Sequence, residues 1–339
     1  MPPPVHLTFP EADGDCHVKA GWLTGAEHFT VKVASGFYRN AERGLPVNQG
    51  LVCVLSARTG QAVAVLDDRG MLTAWRTAAA GALLGHTMAR ADATTVGVFG
   101  TGEQAFLQVS WLAVLRPVGR VLVSGRTGAS AAALCRRLAS QGLDAVPAPV
   151  DAAAGADIVI TATPSGTPVF DAAQVAAGAH VTGIGTDMPH KNELPPALFG
   201  RAATIATDDH GQCLHHGDFG WAVRAGVVAE HADIAVGAVL RRPPPRPAAA
   251  IHRRRPDRGR RARCGRRLSG HRSVARLTHS GATVDDSFRW LRNFRWLGGR
   301  PNRSGVRRRR AELNSVEVGF HHYFLTLTCP WNAAAKIGP

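Results

Sequence analysis

The sequence lacks the features that mark a membrane, secreted or disulfide-stabilised protein. Its six cysteines are widely spaced, the closest pair being Cys16 and Cys53, so neither a CxxC zinc site nor a disulfide framework is expected. No stretch approaches the roughly 18 uncharged apolar residues of a membrane helix, and the N-terminus lacks a basic segment followed by an apolar core. We therefore expect a cytoplasmic protein with no bound metal and no membrane contact.

Acidic residues are nearly missing from the C-terminal part, which we call the basic tail (residues 241–339). The basic tail carries 24 Lys and Arg against 5 Asp and Glu, whereas residues 1–240 carry 16 against 20. The chain of 339 residues is 45% apolar, enough to build two domains. Arg241–Arg267 contains 12 arginines and no aromatic residue, so no apolar core is expected there and the basic tail is predicted to be disordered.

Between Thr94 and Asp209, short β-branched runs alternate with longer Ala- and Leu-rich stretches. This alternation predicts an α/β fold with a Rossmann-type doubly wound parallel sheet over residues 88–235. Residues 1–87 are predicted to form a smaller α+β domain that ends in an Ala-rich helix over 72–88. The predicted strands of the parallel sheet are 95–99, 120–124, 157–161, 180–185 and 203–207, and its main helices are 103–115 and 129–141.

A G-x-G-x-x-A turn follows the first predicted strand of the parallel sheet and opens a helix. Gly100 permits the tight turn, Gly102 lets a pyrophosphate approach the backbone, and Ala105 allows close helix packing. A strand-turn-helix with structural glycines is the alternative. The strand-helix-strand that follows favours nucleotide binding.

The second strand ends at Ser124, where an NAD-preferring site would usually place an acidic residue for the ribose hydroxyls. The residues that follow include Arg126 and Thr127 instead, which suit a 2′-phosphate. We therefore expect NAD or NADP as cofactor, with NADP favoured. The alternative is a solvated arginine at a helix start.

Three charged residues stand out against apolar or Gly-rich surroundings. Lys32 lies inside an apolar run, and Arg76 lies on an otherwise uncharged predicted helix, where a guanidinium could grip a carboxylate. Asp187 follows a strand end at the carboxyl edge of the sheet, where open α/β folds bind ligands. A solvated Lys, a surface Arg and a capping Asp are the alternatives. His210, His215 and His216 show no metal-ligand spacing with carboxylates and are left unassigned.

The combined motifs resemble the ornithine cyclodeaminase and mu-crystallin family over residues 2–240. Pro3–Leu7 and Leu55–Gly60 look most similar to the branch associated with ectoine utilisation. The motifs that carry the family resemblance, in chain order, are Val31-Lys32-Val33, Asn40 with Gly44-Leu45-Pro46, Leu72–Ala79, Gly100–Ala105, Ala162–Ser165 and Gly185–Leu194.

The resemblance implies a homodimer in which a Rossmann domain binds NAD(P) and the other domain holds an amino acid or a cyclic imino acid. Lys32 and Arg76 would bind the substrate carboxylate, and Asp187 would transfer a proton near the amine, so that Lys32 and Asp187 form the catalytic pair. The resemblance also implies cofactor contacts from Lys191, Thr163 and the backbone of Glu103 and Gln104.

For a cyclodeaminase, the resemblance implies hydride removal from Cα, attack of the distal amine on the imine, loss of ammonia and return of the hydride. Relatives of this kind also reduce ketimines or pyrroline-2-carboxylate, or oxidise alanine. A non-catalytic NADP-binding protein is a further alternative. Two departures weaken the match: the family's Arg on the substrate carboxylate is Pro4 here, and Val47 replaces an expected Thr. The segment that leads the family sequence is also missing.

The basic tail departs from the family pattern altogether. A nucleic-acid-binding extension, a disordered linker and an out-of-frame translation are the three hypotheses. Read from the second base of each codon, with synonymous choices free, residues 251–267 can spell FTVADLTGVGVQDAAVA, which resembles the family's own later motif. We therefore favour a frameshift near residue 240 and an impaired enzyme, and nucleic acid is not an expected partner.

Overall fold

The computed structural model describes residues 5–243 and 325–328, which form two β-sheets and their helices. The N-terminal sheet has five antiparallel strands joined in direct sequence. None of the helices in these ranges is long and apolar enough to cross a membrane. The five strands are β1 (Val5–Phe9), β2 (Gly14–Gly21), β3 (His28–Phe37), β4 (Asn48–Ser56) and β5 (Ala62–Leu66).

The pairing register of the N-terminal sheet collects polar side chains on one face. His6 on β1 lies opposite His17 on β2, and Lys19 on β2 lies opposite Lys32 on β3. Because alternate residues of a strand point to the same face, these four side chains and Asp15 share one face of the sheet. We call it the polar face.

The second sheet has eight strands in the order β12-β11-β13-β10-β9-β6-β7-β8. Every pair of neighbouring strands is parallel except the two pairs that involve β13. The predicted α/β class with a Rossmann-type sheet is confirmed. The strands are β6 (Thr95–Phe99), β7 (Arg120–Ser124), β8 (Ala145–Pro147), β9 (Ile158–Thr161), β10 (His180–Gly183), β11 (Thr204–Thr207), β12 (Asp233–Ala235) and β13 (Leu325–Thr328).

Strand β13 comes from the basic tail and lies between β10 and β11. It runs antiparallel to both, so β10 and β11 do not pair with each other. The expectation of an irregular C-terminal region is therefore wrong for Leu325–Thr328. The rest of that expectation falls on residues outside the described ranges.

Eight α-helices surround the second sheet in the described part of the chain. The buried core lies between them and the sheet, with Val96, Val98 and Leu112 in one cluster and Phe199 and Phe219 in another. The helices are α1 (Met71–Met88), α2 (Glu103–Leu115), α3 (Gly128–Ala139), α4 (Val150–Ala154), α5 (Pro196–Phe199), α6 (His210–His215), α7 (Asp218–Arg224) and α8 (Val236–Arg241).

A buried carboxylate, Glu193, ties together the carboxyl ends of neighbouring strands. It accepts hydrogen bonds from Thr161 Oγ1 at the end of β9, from the N–H and hydroxyl of Thr163, and from the N–H of Gly185 after β10. Burial raises the pKa of Glu193, and its hydrogen bonds with Thr163 and Gly185 oppose that shift. One side chain thus holds the carboxyl ends of β9 and β10 in a fixed arrangement.

Candidate active site

The turn between β6 and α2 has the geometry of a phosphate-binding loop. Gly100 has φ +106°, and a Cβ there would lie 2.4 Å from the carbonyl oxygen of Ala162, so no other residue fits. Gly102 precedes α2 with no side-chain cap, and a Cβ there would meet only open space. Ala105 is fully buried under the turn. The N-terminal amides of α2 are therefore accessible to an anion.

The side chains of Glu103 and Gln104 are engaged with the protein. Gln104 Nε2 donates to the carbonyl oxygen of Ala74 at 3.0 Å, and Glu103 pairs with Arg137 at 3.0 Å on the surface. A contact of these two residues with a cofactor would therefore have to come from their backbone amides, and that contact stays a prediction.

Arg126 and Thr127 lie at the end of β7, beside the phosphate-binding turn. Thr127 caps α3 by accepting a hydrogen bond from the N–H of Ser130 at 3.1 Å. Arg126 is exposed. The geometry leaves a positive side chain where a ribose phosphate would project, and the predicted preference for NADP stays a prediction.

Arg76 on α1 has a buried guanidinium, and neither of its terminal nitrogens has a hydrogen-bond partner among the described residues. Burial lowers the pKa of Arg76 to about 9, although the nearby Asp208 raises it. A buried guanidinium without partners is costly unless it meets an anion. The arrangement fits bidentate binding of a carboxylate.

Lys32, on the polar face of the N-terminal sheet, lies close to Arg76 of α1. Burial, followed by the charges of Arg76 and Lys19, lowers the pKa of Lys32 to about 6, and Asp68 only partly offsets them. The structure thus brings Lys32 and Arg76 together, and a bound anion would stabilise the protonated form of Lys32. Their predicted role as ligands of a substrate carboxylate stays a prediction.

Asp187 approaches this cluster from the loop after β10. Its Oδ1 accepts a hydrogen bond of 2.6 Å from Nζ of Lys191, which also donates to the hydroxyl of Tyr38 at 3.0 Å. Burial lowers the pKa of Lys191, but Asp187 and Tyr38 outweigh it and raise that pKa well above its usual value. The ammonium of Lys191 therefore faces Asp187 and Tyr38, and its predicted contact with the cofactor stays a prediction.

Thr163 lies at the sheet edge, but its N–H and hydroxyl both donate to Glu193, at 2.6 and 2.7 Å. Its predicted role at the cofactor would have to use other atoms or a rearranged hydroxyl. The geometry assigns Thr163 a structural role first.

Further polar side chains lie near Arg76, Lys32 and Asp187, around the space that we call the cleft, and they were not identified from the sequence. Lys19 lies beside Lys32, and burial and Arg76 lower its pKa to about 8, whereas Asp208, Asp187 and Asp209 raise it. His6 packs edge-on against His17, with 4.3 Å between ring centroids, and lies 5.5 Å from the ring of His216. A polar residue at every second position of β2 was the signal that could have indicated them.

One group of side chains in residues 5–243 has the spacing of metal ligands. His210, Glu230 and His231 offer ligand atoms that lie within 4.8 Å of one another. Nδ1 of His210 lies 2.8 Å from a carboxylate oxygen of Asp233. The expectation of no metal therefore stays a prediction.

Comparison with known proteins identifies the family. Residues 1–246 match the model of the ornithine cyclodeaminase/mu-crystallin family. The chain belongs to this family. The predicted membership is confirmed, and with it the enzyme class.

Three similar proteins illustrate the range of the family. An uncharacterized cyclodeaminase, y4tK, of Sinorhizobium fredii is 38% identical over 235 residues, which is 68% of this chain and 71% of that protein. L-lysine cyclodeaminase of Streptomyces rapamycinicus is 36% identical over 195 residues, 56% of each chain. The structure of an archaeal alanine dehydrogenase dimer with bound NAD has a TM-score of 0.66 and 31% identity, covering 71% of this chain and 73% of that one.

The phosphate-binding turn yields a direct prediction. Gly102→Val is expected to weaken NAD binding by at least about tenfold, since the added side chain enters the space that the pyrophosphate needs. Isothermal titration calorimetry with NAD and NADP measures the change. Gly128→Ala, at another helix start with open space around it, is the matched control and should bind normally. Equal affinities for the two variants would refute the assignment of this turn.

The low pKa of Lys32 predicts a pH-dependent cost to stability. The unfolded chain keeps Lys32 protonated up to about its ordinary pKa of 10.5, whereas the folded protein releases that proton near pH 6. Folding is therefore penalised most at pH 6 and below, and the penalty shrinks as pH rises towards 10.5.

Lys32→Met should consequently raise the melting temperature by a few degrees at pH 6 and by less at pH 9. Thermal unfolding followed by circular dichroism at both pH values measures this difference. Arg58→Met, which removes an exposed cation, should show no such pH dependence. A Lys32→Met variant that is less stable than the parent at pH 6 would contradict the assignment.

Proposed function

We propose that this protein is a nicotinamide-dependent, ornithine cyclodeaminase-like enzyme that acts on an amino acid or a cyclic imino acid. The observation that carries the proposal is the buried guanidinium of Arg76, which lacks hydrogen-bond partners among the described residues and lies beside the buried amino group of Lys32. Together they would hold the substrate carboxylate and so fix the position of Cα.

The bound cofactor would supply a hydride acceptor or donor at the nicotinamide ring. The residues of this chain would hold and orient the substrate. Gly100 and Gly102 would shape the backbone that holds the cofactor phosphates, and Lys32 and Arg76 would hold the substrate carboxylate. Catalysis of this kind depends chiefly on fixing the two reacting carbons in contact.

Asp187 is the group that exchanges a proton with the substrate amine. Its carboxylate is held in place by Lys191, whose ammonium lies 2.6 Å away. In a cyclodeaminase, this carboxylate would accept a proton from the amine as the imine forms and would return one to the departing ammonia.

An imine reductase or an alanine dehydrogenase-like enzyme is the alternative that the same groups would support. In that case the hydride would go to Cα of a ketimine or of pyrroline-2-carboxylate, and Asp187 would relay the proton to the nitrogen. Arg76 and Lys32 hold the carboxylate in either reaction, so they do not separate the two. A non-catalytic NADP-binding protein would need neither cation.

The same proposal covers the oligomeric state, the choice between NAD and NADP, the cellular location and the branch of the family. Val5, Leu7 and Phe9 on β1 are exposed on the face opposite His6, which supports the homodimer expected from the family, because an apolar sheet face of this kind is usually covered. The exposed side chain of Arg126 supports a preference for NADP, because it could bind the 2′-phosphate. The cytoplasmic location and the ectoine-utilisation branch stay predictions from the sequence.

We further propose that the basic tail is read out of the family's frame and that it impairs the enzyme. The family match ends at residue 246, close to the point where the composition turns basic. Sequencing the gene through codon 240 tests this. A single restored base should recover the family-like motif in frame, whereas a confirmed frame together with turnover at an ordinary enzyme rate would overturn it.

The proposed binding of the substrate carboxylate by Arg76 leads to a mutational prediction. Arg76→Met should reduce kcat/KM by about 100-fold or more, because a buried charged contact to the substrate is lost. Steady-state assays that follow NAD(P)H absorbance, with ornithine, alanine and pyrroline-2-carboxylate as substrates, measure the effect. Arg58→Met is the control and should leave kcat/KM unchanged. Undiminished turnover by Arg76→Met would remove the central residue from the proposed site.

A further inference from the structure

Two basic side chains of the polar face, Lys19 and Lys32, lie near Arg76 of α1, and a single carboxylate would need only two of these three groups. Lys19 lies directly opposite Lys32 on the neighbouring strand, and directly opposed residues of an antiparallel pair have Cβ atoms about 5 Å apart. Arg76 and Lys32 together already provide a fork of donors and an ammonium for a single carboxylate. Lys19 therefore lies next to the pair that would bind the first carboxylate, close enough for one short substrate to reach both positions.

The surroundings of Lys19 on this face are imidazoles. His17 precedes it by two residues on β2, and His6 lies opposite His17 on β1. Nε2 of His6 is buried and has no hydrogen-bond partner among the described residues. Burial, followed by the charges of His17, His216 and Lys19, lowers the pKa of His6 to about 4, although Asp187 raises it. His6 is accordingly a neutral ring that can donate to, or accept from, a polar group in the cleft.

The nearby carboxylates are engaged by protein groups. Asp15, on the same face, lies 3.4 Å from Nε2 of His17 and accepts a hydrogen bond from the hydroxyl of Tyr38 at 3.3 Å. Asp187 is paired with Lys191. Asp208 and Asp209 raise the pKa of Lys19, yet burial and Arg76 outweigh them. Lys19 would repel a second ammonium group on the substrate at this end of the cleft, whereas it would attract a second carboxylate.

We propose that Lys19 and His6 form a subsite for a second carboxylate, so that the preferred substrate is a short dicarboxylic amino or imino acid rather than a diamino acid. The proposal rests on the proposed function for the position of the first carboxylate, between Arg76 and Lys32. The spacing of Lys19 and Lys32 suits a substrate of four or five carbons. Lys19 acts here as a specificity-determining residue and takes no part in hydride transfer.

The test compares imines that form in solution from ammonium and a 2-oxo acid, reduced with NADH or NADPH. Oxaloacetate gives a dicarboxylic imine and pyruvate gives its monocarboxylic counterpart. The parent protein should favour the dicarboxylic imine in kcat/KM. Lys19→Met should raise KM for that imine about tenfold or more, the usual effect of losing a hydrogen bond to a charged group, and should affect KM for the monocarboxylic imine much less, because there only the pKa of Lys32 changes. Lys19→Arg should retain the preference.

Turnover of both imines with equal efficiency, unchanged in Lys19→Met, would overturn the subsite and leave the proposed function standing. Turnover of ornithine or lysine in preference to both imines would also overturn it.

A binding measurement separates failure of the subsite from failure of the proposed function. Thermal shift with succinate and with propionate, in the presence of NAD, requires no catalysis. Succinate should stabilise the parent protein more than propionate does, and Lys19→Met should remove the difference while Arg58→Met keeps it. Equal stabilisation of the parent by the two acids would overturn the subsite. A difference that depends on Lys19 in a protein that turns over no substrate would support the subsite and refute the enzyme.

Discussion

The ammonium of Lys191 joins the two sheets of the described structure, and the geometry of the cleft depends on it. It donates to the hydroxyl of Tyr38, which follows the N-terminal sheet, and to the carboxylate of Asp187, which follows β10 of the second sheet. The carbonyl of Lys191 accepts a hydrogen bond from Nε1 of Trp221 at 2.9 Å, which holds its backbone. Through this one side chain, the carboxylate of Asp187, the proposed proton-transfer group, is held next to the sheet that carries Lys32 and Lys19.

The cleft is built at a cost to stability. Burial lowers the pKa values of Arg76, Lys32 and Lys19, and the charge of Arg76 lowers those of the two lysines further, because both effects disfavour the charged forms. Such a cluster is destabilising on its own, and an anion that fills the space between the cations relieves the strain. The same physical feature therefore penalises the empty protein and selects a carboxylate as its ligand.

The sequence was informative wherever local chemistry alone decides the structure. The turn at Gly100 and Gly102 was predictable because its glycines, the strand before it and the helix after it are contiguous in the chain. Strands β6 and β7 were placed at their observed residues, since each is a short run that contains β-branched residues and stands between helical stretches. Lys32 and Arg76 stood out as charges in apolar surroundings, and the structure brings them together.

The features that were not predicted either lack a local apolar pattern or depend on contacts between distant segments. Strands β1 and β2 were not placed because their inward positions hold His6, Asp15, His17 and Lys19, which do not form an apolar pattern. The partners of Lys191 and Thr163 lie on loops that meet only in the folded chain. The insertion of Leu325–Thr328 between β10 and β11 is a non-local pairing that no local signal in the basic tail indicates.

Transfer of deuterium between the cofactor and substrate Cα tests the central claim most directly, because the cleft is proposed to hold those two carbons in contact. The protein would be incubated with nicotinamide cofactor deuterated at the reactive C4 position and with a cyclic or linear imine, and the product would be analysed by mass spectrometry and NMR. We expect deuterium at Cα of the product amino acid in the parent protein, and incorporation that is slower by about 100-fold or more in Arg76→Met. Binding of both cofactor and imine with no deuterium at Cα of any product would contradict it.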